Sequence, residues 1–380
     1  MKFNTKTIHG GLENVDPAYG SVMPPIYQTT TYKQSTPGGH KGFEYSRSGN
    51  PTRAALENAL ASIENGKFGL AFGSGLAAID AVLKLFKPGD EIVSTNDLYG
   101  GSYRLFTRIF ENMGIKFHFV PMGDTSGIEE HINENTKMIW VETPTNPMMN
   151  IIDIESVSKI AKKHNILLAV DNTFATAYLQ QPLEMGADIV MHSATKYLGG
   201  HSDVVMGSLV VKDKALAEKL YFIQNASGAI CGPMDSFLVL RGLKTLHVRM
   251  QRHCENGAAV ANFLKSHPRV DKVYWPGFED HPNHEIAKKQ MNGFGGMISF
   301  TTAEGTLESA VKVVENLKVF TLAESLGGVE SLAGHPASMT HASIPKEERA
   351  KTGVVDSLIR LSVGIEDEED LMDDLKQALG

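Results

Sequence analysis

The stretch "ILLAVDNTFATAYLQQPLEMGADIVMHSATKYLGG", residues 166–200, holds two short apolar runs, Ile166 to Val170 and Asp188 to His192, each followed at once by polar and small residues. Runs of this length without polar alternation read as strands buried on both faces of a sheet. The spacer between them holds about one crossover, so the strands are read as neighbours in an α/β sheet. Asp171 then stands directly after the first strand, and Lys196 stands four residues past the second. An acid and a lysine meet at neighbouring strand ends, where open α/β sheets place their ligands.

Working outward, further strands are read at 68–72, 91–95, 116–120, 137–141 and 208–211, mostly separated by helix-length spacers. Ahead of them, "NPTRAALENALASIENG" offers Asn50 as an N-cap, Pro51 in the first turn, Leu56, Leu60 and Ile63 on one face, and Gly66 as a stop. Residues 1–50, rich in Gly, Pro, Thr and Tyr, show no sustained period and read as an N-terminal arm. A main domain is expected over 51–245 and a smaller one over 246–380. A helical stretch over roughly 233–266 joins them, and the strands "KVYW", "GMISFTT", "KVFTLA" and "LIRLSVG" follow. The acidic C-terminus resembles a cation site, but Leu371, Leu375 and Leu379 fall at helical spacing, so a solvated amphipathic helix is expected and no metal.

Composition narrows the ligand. The 380 residues carry a net charge of -8, with basic residues neither in excess nor clustered, which disfavours nucleic acid and anionic membranes as partners. The start, "MKFNTKTIHGGLENVDP", lacks the apolar core of a signal peptide, and no later run approaches a membrane span; a cytoplasmic protein is expected. Cys231 and Cys254 have neither metal-site spacing nor disulfide density. A small molecule is the expected partner.

The loops that follow the strands carry the chemistry. A lysine in a partly desolvated, polar-walled site can form a Schiff base with an aldehyde, and pyridoxal 5'-phosphate is an aldehyde that needs a carboxylate opposite its ring nitrogen. Lys196 and Asp171 answer those two needs. The phosphate needs amides and cations: "GSGL", residues 73–76, offers Gly75 and Leu76 at a helix start, with Ser193, Thr195 and Arg47 as further donors. Tyr99 in "NDLYGG" could stack on the ring. One rival is a nicotinamide oxidoreductase, because "GSGLAA" also fits the dinucleotide pattern and Asp97 lies near the next strand end. That reading leaves Lys196, Asp171 and Tyr99 unused. A scaffold that keeps the cofactor without turnover is a third.

The blocks "EYSRSGNPTR", "SGLAA", "DLYGG", "ETPTNP", "VDNTFAT", "HSATKYLGGHSDVVMG", "RGLKTLHVRM", "FTLAESLGGVES" and "LIRLSVGIEDEEDL" resemble, in order and nearly end to end, the Cys/Met-metabolism enzymes of fold type I that depend on pyridoxal phosphate. The resemblance implies a large domain with a mostly parallel, doubly wound sheet, a smaller C-terminal α/β domain, and an arm that reaches a neighbouring subunit. It implies Lys196 as the Schiff-base lysine and proton shuttle, Asp171 at the ring nitrogen and Tyr99 on the ring. Gly75, Leu76, Ser193 and Thr195 would hold the phosphate, while Tyr45 and Arg47 would reach the neighbour's, within a homotetramer of active dimers. Arg360 would clamp the substrate α-carboxylate, and Asn146 would contact both cofactor and carboxylate.

Members of this family carry out β- or γ-elimination or γ-replacement on sulfur amino acids. The resemblance to the cystathionine γ-lyase and γ-synthase branches places an acid for the distal amino group at Glu330 in "GGVES", followed by Ser331, with Arg104 lining the same pocket. Gly101 stands where methionine γ-lyases often carry cysteine. "RGLKTLHVRM" and "MTHASIPKEER" are more lyase-like, so γ-elimination is expected, with γ-synthesis as the alternative.

Overall fold

The computed structural model describes residues 1–13, 16–341 and 346–380, excluding the side chain of Glu348. The middle of "MTHASIPKEER" thus lies outside the described residues. The apolar runs form a seven-stranded sheet of β1 (Phe68–Phe72), β2 (Glu91–Thr95), β3 (Lys116–Val120), β4 (Thr136–Glu142), β5 (Leu167–Asp171), β6 (Ile189–Ser193) and β7 (Gly207–Val211). Their spatial order is β1-β7-β6-β5-β4-β2-β3. Only β7 runs against the rest, pairing antiparallel with β1 and β6; the other pairs are parallel.

Successive strand residues enter different cores. Ile139, Val141, Leu168 and Val170 pack on one face, while Met138, Trp140, Ala169 and Ile189 pack on the other. Both faces are covered, so the strands have no solvent side that would demand polar alternation. All strands but β7 end on one edge, which gathers Phe72, Thr95, Glu142, Asp171 and Ser193.

A second sheet, of β8 (Val270–Tyr274), β9 (Met297–Thr302), β10 (Thr321–Leu322), β11 (Leu332–Gly334) and β12 (Leu358–Ser362), has the order β10-β11-β12-β9-β8. Val260 and Leu264 from one helix, Val313 from a second and Leu371, Leu375 and Leu379 from the C-terminal helix Glu368–Leu379 pack over it around Phe300. The leucine spacing of that last helix therefore faces a core.

Two local expectations are corrected. The stretch 233–266 is two helices, Pro233–Leu243 and Leu246–Ser266. The Gly242 carbonyl accepts from Thr245 N and Oγ1, both at 3.1 Å, and from Arg249 Nη2 at 2.9 Å, which diverts the helical ladder there. The same guanidinium donates through Nη1 to Tyr197 O at 2.7 Å, strapping the residue after Lys196 to the turn. In the helix Pro51–Ile63, Asn50 does cap the start by accepting from Thr52 N and Arg53 N. Its end is made by Asn65 in the left-handed region (φ 55), not by Gly66. Gly66 is instead a packing requirement, since a Cβ there would fall 2.2 Å from Val210 Cγ1.

Within the arm, Phe3–His9 forms a short helix that sequence periodicity did not reveal. From 17 to 48 the described chain is largely exposed and irregular, with one bridge between Thr31 and Tyr45. Among the described residues no helix is long and apolar enough to cross a membrane.

Candidate active site

The strand-end edge and the second sheet enclose a cavity of about 250 Å3. Of the residues expected in the site, Gly75, Leu76, Tyr99, Asn146, Asp171, Ser193, Thr195, Lys196 and Arg360 line it. Tyr45, Arg47, Arg104, Glu330 and Ser331 do not.

Lys196 sits in the turn after β6, with its Nζ donating to Ser325 Oγ at 2.7 Å. Burial, aided by the nearby Arg360 charge and opposed by Glu324, lowers its pKa to about 8. Asp171 ends β5, where its Oδ1 accepts from Thr173 N at 3.0 Å and Thr173 Oγ1 at 2.5 Å. Burial nevertheless pushes its carboxyl above the usual range. Thr173 Oγ1 also accepts from Ser193 N at 2.9 Å, so one hydroxyl joins the ends of β5 and β6.

The phosphate-side wall is the start of the helix Gly75–Leu83. Ser74 caps it by accepting from Ala77 N, which leaves the amides of Gly75 and Leu76 without an acceptor inside the helix. Close packing requires glycine beside them: a Cβ on Gly207 would lie 2.1 Å from Ser74 O. Ser193 lines this wall too. Thr195 faces the cavity, but its hydroxyl already donates to Met206 O at 3.1 Å and accepts from Met206 N at 3.0 Å. Its proton is therefore engaged by the protein itself.

Arg360 projects from β12 and is buried, donating through Nη1 to Asn146 Oδ1 at 3.0 Å and through Nη2 to Ser325 O at 2.9 Å. Burial lowers its pKa to about 10, which leaves it cationic at neutral pH. No carboxylate among the described residues forms an ion pair with it, so the cavity holds a guanidinium suited to an arriving anion. Tyr99, 38 % exposed, borders the same space. A Cβ at Gly101 would fall 2.3 Å from its ring, so glycine there leaves the ring its position.

Several residues expected at the far wall or at a neighbour's phosphate lie outside this chain's own cavity. "AESLGGVES" contains the pair Glu-Ser twice, and the first pair, Glu324-Ser325, faces the cavity. Glu330 instead accepts from the Ser202 hydroxyl. Ser331 is buried, its N and Oγ donating to Glu366 at 2.6 and 2.8 Å while its Oγ accepts from Gly364 N. Arg104 lies exposed on the helix Gly100–Leu105. Tyr45 and Arg47 lie on the surface, the guanidinium 5.4 Å from the tyrosine ring and its Nε donating to Asn225 Oδ1 at 3.2 Å. Asp97, the residue a dinucleotide reading would use, is buried and accepts from Thr145 Oγ1 and Asn150 Nδ2. Glu142, Thr173, Glu324 and Ser325 also line the cavity, and the sequence marks them only by their nearness to a strand end.

The donor set fits pyridoxal phosphate: a buried amine of lowered pKa for the aldehyde, a buried acid for the ring nitrogen, and helix-start amides with Ser193 for the phosphate. Fold and site together define a pyridoxal-phosphate enzyme of fold type I. Residues 4–380 match the Cys/Met metabolism PLP-dependent enzyme family, and the chain belongs to it. It is 54% identical to a Coxiella burnetii protein named cystathionine beta-lyase, over 99% of this chain and 97% of that one. It is also 54% identical to a Bacillus subtilis protein named cystathionine gamma-lyase, over 100% and 99%. The crystal structure of a cystathionine gamma synthase from Xanthomonas oryzae pv. oryzae, in complex with aminoacrylate and cysteine, superimposes with a TM-score of 0.96 at 43% identity, covering 100% of this chain and 98% of that one.

The pKa of Lys196 sets a testable reactivity. The folded apoprotein should react with a small aldehyde, trapped by borohydride at this residue, at a rate that rises through about pH 8. A rate rising only near 10.5, the ordinary lysine value, would show that the amine is not desolvated.

Proposed function

We propose that this enzyme cleaves the Cγ–S bond of L-cystathionine, with water giving cysteine, 2-oxobutyrate and ammonia. The observation that carries this reading is the charge pattern of one cavity. Arg360 there has no carboxylate partner, and exposed Glu324 has no basic ion-pair partner, among the described residues. An amino acid with an α-carboxylate and a distal ammonium satisfies both. The Bacillus relative named cystathionine gamma-lyase supports the same choice.

Bound pyridoxal phosphate supplies an electron sink that lets protons leave the substrate's Cα and Cβ. Arg360 and Asn146 hold the α-carboxylate, which orients Cα toward Lys196. The neutral Lys196 amine takes the Cα proton, relays it, and then takes one from Cβ. The Cγ–S bond breaks with its electron pair on sulfur, and the leaving thiolate takes up the proton that Lys196 removed from Cβ. The Ser325 hydroxyl keeps Nζ at the cavity wall between these transfers. Asp171 would hold the cofactor's ring nitrogen, and Tyr99 would cover its ring.

Purified enzyme given L-cystathionine should release 2-oxobutyrate and cysteine, and Glu324→Gln should raise KM more than it lowers kcat. Pyruvate with homocysteine would instead assign β-elimination, the activity in the Coxiella relative's name. Net cystathionine formation from an O-acylated homoserine and cysteine would assign γ-replacement.

The same reading gives Tyr45 and Arg47 to the phosphate of a neighbouring subunit in a homotetramer of active dimers. Their exposed position outside their own cavity supports it, as do the exposed apolar residues Tyr19 and Val22 on the same arm. Co-expressing Lys196→Ala and Arg47→Ala chains should then restore activity well above either parent, because one site of each mixed dimer carries both native residues. Absence of recovery would place both residues in a single-chain role.

A further inference from the structure

Glu142 has no part in the chemistry described above, yet it is among the most enclosed acids of the protein. It is the last residue of β4, pairs in register with Asp171 of β5, and is buried. Its two carboxyl oxygens take separate tasks. Oε2 accepts from the backbone N–H of Tyr99 at 3.0 Å, and Oε1 accepts from the backbone N–H of Asn146 at 3.2 Å.

These amides belong to two different loops. Tyr99 follows β2 and borders the ring side of the cavity; Asn146 follows β4 and holds Arg360 on the carboxylate side. Asp97 ties the same loops once more, accepting from Thr145 and Asn150. That bond, however, reaches neither Tyr99 nor Asn146 directly. Glu142 meets both functional amides with one carboxyl group, while Asp97 and His341, which bonds the Asn146 carbonyl at 3.2 Å, brace the same loops at other atoms.

We propose that Glu142 is a positioning residue that clamps Tyr99 to Asn146, so that the wall covering the cofactor and the wall binding the substrate carboxylate move as one. The proposal rests on the roles given above to Tyr99, Asn146 and Arg360. Burial, with the neighbouring carboxylates of Asp171 and Asp97, pushes the Glu142 carboxyl well above the usual range. The two backbone N–H groups that donate to it oppose that shift.

Gln at this position keeps one carbonyl acceptor but turns an NH2 toward the other backbone N–H, so only one half of the clamp survives. The test measures cofactor content, the visible absorbance of the bound cofactor, kcat and KM for wild type, Glu142→Gln, Asn146→Ala and the double variant. Glu142→Gln should keep bound cofactor, raise KM by about tenfold with a smaller change in kcat, and shift the visible band. Because it acts through Asn146, the double variant should have a KM no higher than Asn146→Ala alone. Fully additive effects, or an unchanged KM and band, would overturn the clamp.

If Glu142→Gln fails to fold, Glu142→Asp serves the same cycle, since it keeps two acceptors on a shorter arm and should show the same non-additivity. Failure of the broader reading would be visible separately, as a wild type without bound cofactor or turnover.

Discussion

Three carboxyl groups, Asp97, Glu142 and Asp171, are buried at or just beyond the ends of three adjacent strands, with no ion-pair partner among the described residues. Burial raises all three, Asp97 to about 6. Burying such groups is costly unless donors meet them. Here the donors are the surrounding loops: Thr145 and Asn150 for Asp97, Tyr99 and Asn146 for Glu142, Thr173 for Asp171. The loops keep their shapes because these acids need them, and the cavity inherits its walls from that need.

Two cations complete the cavity. Arg360 comes from the second sheet and Lys196 from the turn after β6, and the guanidinium charge helps keep the lysine reactive near neutrality. Ser325 bridges them, its hydroxyl accepting from Nζ and its carbonyl accepting from Arg360. The lysine turn is fixed from behind by Arg249, which reaches Tyr197 O and Gly242 O at once. A cofactor that brings a basic ring nitrogen, an aldehyde and a phosphate therefore meets acid, amine and amides on surfaces already braced.

Much of this was legible in the chain. Apolar runs buried on both faces identified six of the seven strands of the main sheet from periodicity alone, and "FGLAF" before a glycine turn identified the remaining one. Counting residues past each strand brought Asp171 and Lys196 together. Harder to read were residues whose role depends on the partner they find in space. "AESLGGVES" offers two equivalent Glu-Ser pairs, and only folding decides that Ser331 is taken by Glu366 while Ser325 meets Lys196. Glu142 reads as an ordinary strand end until its two amides are seen. The helix break at 244–245 depends on Arg249 competing for a carbonyl, which no local propensity encodes.

The account rests on Asp171 acting as a buried anion toward the cofactor's ring nitrogen. Asp171→Asn keeps the shape and removes the charge, so the dissociation constant of pyridoxal phosphate, measured by equilibrium titration of wild type and variant, tests it most directly. A rise of at least about tenfold, or about 1.4 kcal/mol, with turnover nearly abolished, is the predicted result. Equal affinity and equal turnover in the two proteins would contradict it.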